Sequence, residues 1–542
     1  MKVGWLLSLA IGASALSVRS KGHRQAPTVT VRNGTYKGVH SDQYDQDFFL
    51  GLPFAQPPTG DLRFRSPRPL NSSWKGQRDA TAFSPACVGY GPSQMGYNVS
   101  EDCLYLNVIR PTGYHSKKHC GLPVAVWIYG GGFVQGSGVD RRYNLSFIVQ
   151  ESARLGQPIL GITLNYRLSA WGFLQGDEVR ESGDTNVGLR DQRLALQWIR
   201  ENVAAFGGDP DKVTIWGQSA GAGSVGMHIT AYNGRDDKLF RSAIMQSGSP
   251  VALSDLDCRS YFQSAYRNLT EDTRCSNATE SLEFLRALPF ETLNAVINTT
   301  ALSGIWFPQI DGDIIARYSS SQLEDGGFVH VPILIRANSD EGTSFSPKGI
   351  NNTEIFKAAI QTQNVLANLG PTYRPGPPYG EQYRRAATYY GDAQFIASRR
   401  LSCETWAAAG LTAYCFRFNT IPAWATQFDG ATHFVEVASS MLNLLGVGYP
   451  PVRVPPFEGK PESYADLTRL MSGDLIRFIN SGNFNSKARE RTFEVPYWPK
   501  YALLRPEEFV YDASVTSYVE PDTYRAEGMK LINSGVLPVY GR

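Results

Sequence analysis

FGGDPDKVTIWGQSAG, Phe206 to Gly221, is the stretch around which the chain can be organised. Within it Gly217-Gln218-Ser219-Ala220-Gly221 spells G-x-S-x-G, a pattern too short to mean much alone. Its flanks give it meaning. Val213-Thr214-Ile215-Trp216 is β-branched and aromatic with no breaker and reads as a strand, while AGAGSVGMHIT from Ala220 onward reads as a buried helix. A strand, a sharp turn with glycines two positions either side of a serine, and a helix describe a nucleophile elbow. Glycine is needed at 217 and 221 because the turn strains the serine backbone and brings neighbouring backbone too close for a side chain. Ser219 then stands clear of the sheet edge at a helix N-terminus, where free N–H groups favour developing negative charge.

Working outward, the strands and helices of the chain alternate. VAVWIYGGGF (Val124 to Phe133) is a continuous apolar run ending in three glycines, as a buried parallel strand with bare backbone at its carboxyl end would. GITLNYRL (Gly161 to Leu168), RSAIMQSGS (Arg241 to Ser249), VPILIRANSDEG (Val331 to Gly342) and AYCFRF (Ala413 to Phe418) read as further strands. LRDQRLALQWIRENVAAF (Leu189 to Phe206) and DLTRLMSGDLIRFINSG (Asp466 to Gly482) read as helices. Upstream, SEDCLYLNVIRP (Ser100 to Pro111) has strand character, and TVTVRNGTYKGVHS (Thr28 to Ser41) reads as a hairpin turning at Asn33-Gly34. The stretch from Phe48 to Leu70 is too rich in Pro and Gly for regular structure, so an irregular surface wrap is expected there. Leu256 to Leu302 and Asn351 to about Arg400 lack clear strands and read as helical insertions over the active site. The alternation predicts an α/β fold, with a large, mostly parallel central sheet covered by helices on both faces. No repeat or long linker divides the chain, so a single domain over 27–542 is expected.

Composition narrows the function. Of 542 residues, Lys and Arg number 52 against 50 Asp and Glu, a net charge of +2, and no long basic block concentrates positive charge. Nucleic acid is therefore not an expected partner. The N-terminus, MKVGWLLSLAIGASALS, has one early lysine, a short apolar run and small residues, the outline of a secretory signal peptide over 1–18. That run is too short to span a bilayer, and the C-terminal LPVYGR lacks the tail a lipid anchor needs, so no transmembrane anchor is expected. Export gives meaning to eight N-x-S/T sequons, at Asn33, Asn71, Asn98, Asn144, Asn268, Asn277, Asn298 and Asn351, as glycosylation sites. Seven cysteines fit an oxidising compartment, with proximity suggesting Cys87–Cys103 and Cys258–Cys275 and leaving Cys120, Cys403 and Cys415 open. No metal-ligand spacing such as C-x-x-C occurs, and the chemistry outlined below calls for no cofactor.

A serine hydroxyl needs a base within hydrogen-bond reach, usually histidine. His23 and His40 precede the core, and His115 and His119 lie in a polar loop. His228 is on the elbow's own helix, and His330 is at the amino end of a strand, away from the serine. His433, in GATHFVEV after a late strand, is left. In the chain order serine, acid, histidine the acid lies between 219 and 433, and VPILIRANSDEG offers both Asp340 and Glu341 at a strand's carboxyl end. Gly130-Gly131-Gly132 supplies backbone N–H groups for an oxyanion, joined by that of Ala220 after the serine.

With these features in place, the chain resembles the type-B carboxylesterase/lipase family, which includes cholinesterases and secreted fungal lipases and esterases. FGGDPDKVTIWGQSAG and EDCLYLNV (Glu101 to Val108) resemble its two signature segments. NYRLSAWGFL (Asn165 to Leu174), NVGLRDQRLALQWIRENVAAFGGDP (Asn186 to Pro210) and WFPQIDG (Trp306 to Gly312) are similar too, and the likeness runs from about Thr28 to Asn485. The resemblance implies an α/β-hydrolase fold and a serine esterase. It favours Glu341 over Asp340, implies Gly131, Gly132 and Ala220 as oxyanion donors, and adds Ser247 in MQSGSP as a hydroxyl supporting Glu341. It also makes Cys87–Cys103 and Cys258–Cys275 look like the family's first two disulfides. Tyr129 stands before the glycines where many hydrolases carry histidine, as in cholinesterase-like members, which have an aromatic there.

Two departures bear on the ester. Cholinesterase-like members carry glutamate before the serine, where Gln218 is neutral, and the loop between Cys87 and Cys103 has no tryptophan to receive a quaternary ammonium. That loop holds only fifteen residues with little apolar content, too few for the long amphipathic lid of the family's interfacial lipases. The expected activity is hydrolysis of uncharged, small to medium carboxylic esters. The alternatives are a triacylglycerol lipase or sterol esterase and, with the catalytic residues idle, an adhesion protein on the same fold.

Overall fold

The apolar runs that end in glycine, serine or acid form the middle of one sheet. The computed structural model describes residues 25–114, 121–276, 278, 280–352, 354, 380–485 and 495–542. The expected leader, His23, His115, His119, Cys120 and Asn277 lie outside the described residues. Among the described residues the sheet has 11 strands. In chain order they are β1 (Val39–Ser41), β2 (Gln46–Pro53), β3 (Tyr105–Pro111), β4 (Leu122–Ile128), β5 (Leu160–Leu164), β6 (Gly208–Gln218), β7 (Ser242–Gln246), β8 (Ile333–Asn338), β9 (Ala413–Phe418), β10 (Glu507–Tyr511) and β11 (Tyr518–Pro521). Their spatial order is β11-β10-β9-β8-β7-β6-β4-β5-β3-β2-β1. From β5 across to β10 every neighbouring pair is parallel, and the pairings outside that block are antiparallel. β4, β7, β8 and β9 are buried almost throughout, as strands covered on both faces must be.

Helices cover both faces. On one lie α2 (Val187–Asn202), α3 (Ala220–Gly234) and α5 (Ala397–Ala408), and on the other α1 (Ser146–Arg154) packs against α6 (Glu462–Ser481). Because the central strands are parallel, their carboxyl ends share one edge. Gly130 to Gly132 after β4, Ser219 after β6, Ser247 after β7 and Asp340-Glu341 after β8 therefore gather there, together with the loop after β9 that carries His433. The Asn33-Gly34 hairpin forms as the sequence suggests, with Val31 opposite Gly34.

Two expectations need correction. The stretch from Phe48 is not irregular at its start: β2 runs to Pro53, because Phe49 and Leu52 bury themselves in the core while the backbone pairs with β3. Cys258 and Cys275 are not bonded to each other, and both are free thiols. Helix α4, Arg259–Asp272, stands between them, and its 14 residues hold its ends about 21 Å apart. A disulfide needs its Cα atoms within roughly 7 Å, so proximity in sequence is cancelled by the helix. Among the described residues the bonded pairs are Cys87–Cys103 and, joining α5 to β9, Cys403–Cys415. Of the sequons, Asn71, Asn98, Asn268, Asn298 and Asn351 are exposed. Asn144 is half-buried, and its Oδ1 accepts from the Ser146 N–H at 3.1 Å. The half-buried Asn33 donates from Nδ2 to the Ser72 carbonyl at 2.9 Å.

The sheet continues past the last segment with family likeness. Trp498 stacks between Phe484 and Phe509, at 4.0 and 4.7 Å between centroids, and meets Phe416 and Tyr511 edge-on. These rings fasten β10 to β9. Trp498→Ala is expected to cost about 3–5 kcal/mol, measured as a fall in the urea midpoint at unchanged m value.

Candidate active site

The elbow has the geometry that its glycines require. Ser219 sits at φ 57° and ψ −127°, a strained conformation for any side chain. A Cβ on Gly217 would lie 2.4 Å from the Gly221 carbonyl, and one on Gly221 would lie 2.1 Å from the Ile128 oxygen. The serine is held from outside: its N–H donates to the Gln246 carbonyl on β7 at 2.8 Å, and its own carbonyl accepts from Gly223 at 2.9 Å. Ser219 is partly open to solvent while Gly217, Gln218 and Ala220 are buried. Since α3 begins at Ala220, the N–H groups of its first turn have no carbonyl of their own helix to meet.

The glycine loop closes on the elbow. A Cβ on Gly130 would come within 2.4 Å of the Gln218 carbonyl and 2.9 Å of the Ser219 Cβ. Gly131 and Gly132 take φ of 110° and 65°, conformations open to glycine. Among the described residues their N–H groups donate to nothing. Tyr129, just before the loop, stacks on Tyr166 at 4.4 Å, and each hydroxyl donates to the other's carbonyl, at 2.8 and 2.9 Å. This locked pair fixes where β4 ends.

His433 and Glu341 meet at the same edge, with His433 Nδ1 2.5 Å from Glu341 Oε2. The other carboxylate oxygen accepts from the Ser247 hydroxyl and the Asn338 N–H, each at 2.6 Å. Burial pushes the Glu341 carboxyl up, but His433, Arg336 and the Asn338 N–H outweigh it and hold it below the ordinary carboxylate value. Asp340 turns the other way, pairing with Arg384 at 3.1 Å and accepting from the Ala431 N–H at 3.0 Å. The imidazole packs against Phe395 and Phe345, at 4.8 and 5.0 Å, and those two rings stack on each other at 5.4 Å. Its Nε2 is 3.2 Å from the Gln218 side-chain nitrogen. Among the described residues no hydrogen bond joins it to the Ser219 hydroxyl, so the imidazole is at the elbow but faces the residue beside the serine. Hydrogen bonds of this kind often tighten only when substrate arrives.

A supporting layer escaped the sequence reading. Asn338 donates from Nδ2 to the Thr432 carbonyl at 2.7 Å and to Glu436 Oε2 at 2.9 Å, tying the end of β8 to the histidine loop. Arg336 donates to Asn338 Oδ1 at 2.5 Å and forms a fully buried ion pair with Glu436. Burial pulls the Arg336 guanidinium down to about 9, against the pull of Glu341. The signal was there: an arginine inside the apolar strand VPILIRAN needs a buried partner.

The other described histidines lie elsewhere, and His330 is exposed, with its ring 5.0 Å from that of Phe328. His228 is buried on α3, with Nε2 2.9 Å from Gln192 Oε1, and His40 is 3.2 Å from Asp47. Burial, reinforced by Arg193, pulls the His228 imidazole down to about 3.

Known proteins share this arrangement of the chain. A family model described as the carboxylesterase family matches residues 25–517. The chain is 37% identical to Lipase 5 of Diutina rugosa over 454 residues, 74% of this chain and 79% of that protein. It is 32% identical to Secreted lipase 1 of Botryotinia fuckeliana over 534 residues, 88% of each. Among solved structures it is similar to EstA of Aspergillus niger, with a TM-score of 0.82 and 26% identity over 96% of this chain and all of that one.

The state of His228 has a consequence for acid stability. A histidine held neutral in the folded protein but free to protonate when unfolded costs nothing above its unfolded value of about 6.5. Below that it lowers stability progressively until its folded value of about 3 is reached. His228→Gln is expected to flatten the fall in melting temperature between pH 6.5 and 4, measured by scanning calorimetry against the wild-type chain.

Proposed function

The chain belongs to the carboxylesterase family, and from that premise we propose a secreted serine esterase that works through an acyl-enzyme. It is a carboxylic ester hydrolase, and the reading assigns its parts. Ser219 attacks the ester carbonyl as His433 takes its proton. Glu341 orients the imidazole and stabilises its charged form, with Ser247 supporting the carboxylate. The oxyanion rests on the N–H groups of Gly131, Gly132 and Ala220. His433 then protonates the departing alcohol. Water, giving its proton to His433, attacks the acyl-enzyme, and the acid leaves as Ser219 recovers its proton. The observation that carries this reading is the 2.5 Å hydrogen bond between His433 and Glu341 at the sheet edge where Ser219 is strained.

For the substrate we favour uncharged small to medium esters. Gln218 offers a cationic alcohol no charge, and the loop closed by Cys87–Cys103 is held down along its length. Tyr90 OH donates to Asn294 Oδ1 at 2.8 Å, the Ser93 N–H to Gln135 Oε1 at 2.9 Å, and Gln94 Nε2 to the Cys87 carbonyl at 2.9 Å. A lipase is the second reading, favoured by the names of the relatives. Secretion rests on the leader-like N-terminus and on a relative named as secreted. It extends to a single catalytic domain over 27–542 that carries glycans at exposed sequons. No helix among the described residues is long and apolar enough to cross a membrane.

Two measurements test this. Ser219→Ala should fold normally yet take no fluorophosphonate label and lose ester turnover, and Glu341→Gln should lower kcat by roughly a thousandfold or more. Asp340→Asn, by contrast, should stay within about tenfold of wild type, its partners lying away from the imidazole; equal losses at 340 and 341 would reassign the acid. In a series of acyl lengths, rates should peak at short to medium chains, whereas a jump in rate once a long-chain triglyceride exceeds its solubility would favour the lipase.

A further inference from the structure

Gln218 is buried next to Ser219, with its side-chain amide close to both the glycine loop and His433. The two atoms of its terminal amide face different neighbours: Oε1 lies 3.1 Å from where a Cβ on Gly130 would stand, and Nε2 lies 3.2 Å from His433 Nε2. The one side chain thus touches both the glycine loop and the imidazole.

We infer that Gln218 is a positioning residue: in the free enzyme its amide holds the Nε2 edge of His433 beside Ser219, and during turnover the amide turns to match the imidazole's protonation. The inference rests on the proposed roles of Ser219 and His433. With Nδ1 donating to Glu341, Nε2 of the neutral ring carries a lone pair, and the amide N–H is the group that can meet it. When the proton of Ser219 moves to Nε2, two N–H groups face each other. Rotation of the amide then presents Oε1, an acceptor, to the new N–H. Gln218 gains and loses no proton in this exchange. A carboxylate at the same position would only accept, and would hold the proton on the ring before the serine needs the base.

The other charges near the ring are fixed. Glu341 bonds Nδ1, the Arg336–Glu436 pair stands behind Asn338, and Asp340 is engaged with Arg384. Arg142 lies over the ring of Phe434, the next residue, and the faces of Phe345 and Phe395 are uncharged. Gln218 is therefore the contact at Nε2 through which a substitution can change the base.

The test is the pH profile of kcat/KM on p-nitrophenyl butyrate for the full chain and two variants, with active sites counted by fluorophosphonate titration. Gln218→Glu should move the acidic limb upward by about one pH unit. Gln218→Met should leave the limb within a few tenths of a unit while kcat falls about tenfold and KM changes less than about twofold. Turnover by all three with superimposable limbs, or a Met variant with wild-type kcat, would overturn the role of Gln218 and leave the esterase intact. Absence of turnover by the wild-type chain would instead bring down the esterase reading, and this inference with it. A Glu variant that fails to fold leaves the decision to the Met variant.

Discussion

The backbone at Ser219 is the constraint on which the site depends. A positive φ with an extended ψ costs a side-chain-bearing residue on the order of 1–3 kcal/mol, and a loop would relax it away. Here it cannot relax. β6 lies in the middle of the sheet between β4 and β7, α3 starts at the next residue, and the Ser219 N–H is anchored to Gln246. Gly217 and Gly221 let the three pieces of backbone approach closely enough for this to close. The strain sets the direction of the hydroxyl, and every other group must be brought to it.

The histidine is brought there by buried polar chemistry more than by packing. Glu341, Arg336, Asn338 and Glu436 lie in a region where isolated charges would be expelled, and each is matched by a neighbour. Such an arrangement is weak support for stability, since desolvation consumes most of what the ion pair returns. What it supplies is position. Asn338 offers one amide to the carbonyl before His433 and to Glu436, while its backbone N–H holds Glu341. The end of β8 and the loop after β9, about ninety residues apart in sequence, are thereby fixed relative to each other.

Much of this was legible in the sequence because local patterns carried it. The elbow's glycines, the strand that runs into the Gly130–Gly132 loop, and the strand before Asp340 and Glu341 each announce themselves within ten or so residues. What stayed hidden depends on contacts across the chain. Residues alone could not separate Asp340 from Glu341, because what tells them apart is long-range: Arg384 and the Ala431 N–H hold one, and Ser247 and His433 hold the other. The strand at Phe48 was masked by the prolines after it, and β10 and β11 by the short length of their apolar runs. The Cys258–Cys275 pairing failed because nearness along the chain ignores the rigid rise of a helix.

The rim of the site is coupled to its catalytic floor. In the loop closed by Cys87–Cys103, the Tyr90 N–H donates to the Val134 carbonyl at 2.9 Å and the Ser93 N–H to Gln135 Oε1 at 2.9 Å. Val134 and Gln135 in turn donate to the Gly131 carbonyl, each at 3.1 Å, and the Gln135 carbonyl is packed so closely on Gly131 that a Cβ there would meet it at 2.2 Å. The rim therefore shares a short hydrogen-bonded path with the glycines proposed to bind the oxyanion. A lid that swung away at a lipid surface would pull on that path and disturb donors whose value lies in being fixed before the reaction begins. This coupling of the rim to the glycine loop supports the proposed preference for dissolved esters, since a rim tied to the proposed oxyanion donors is poorly suited to large movement.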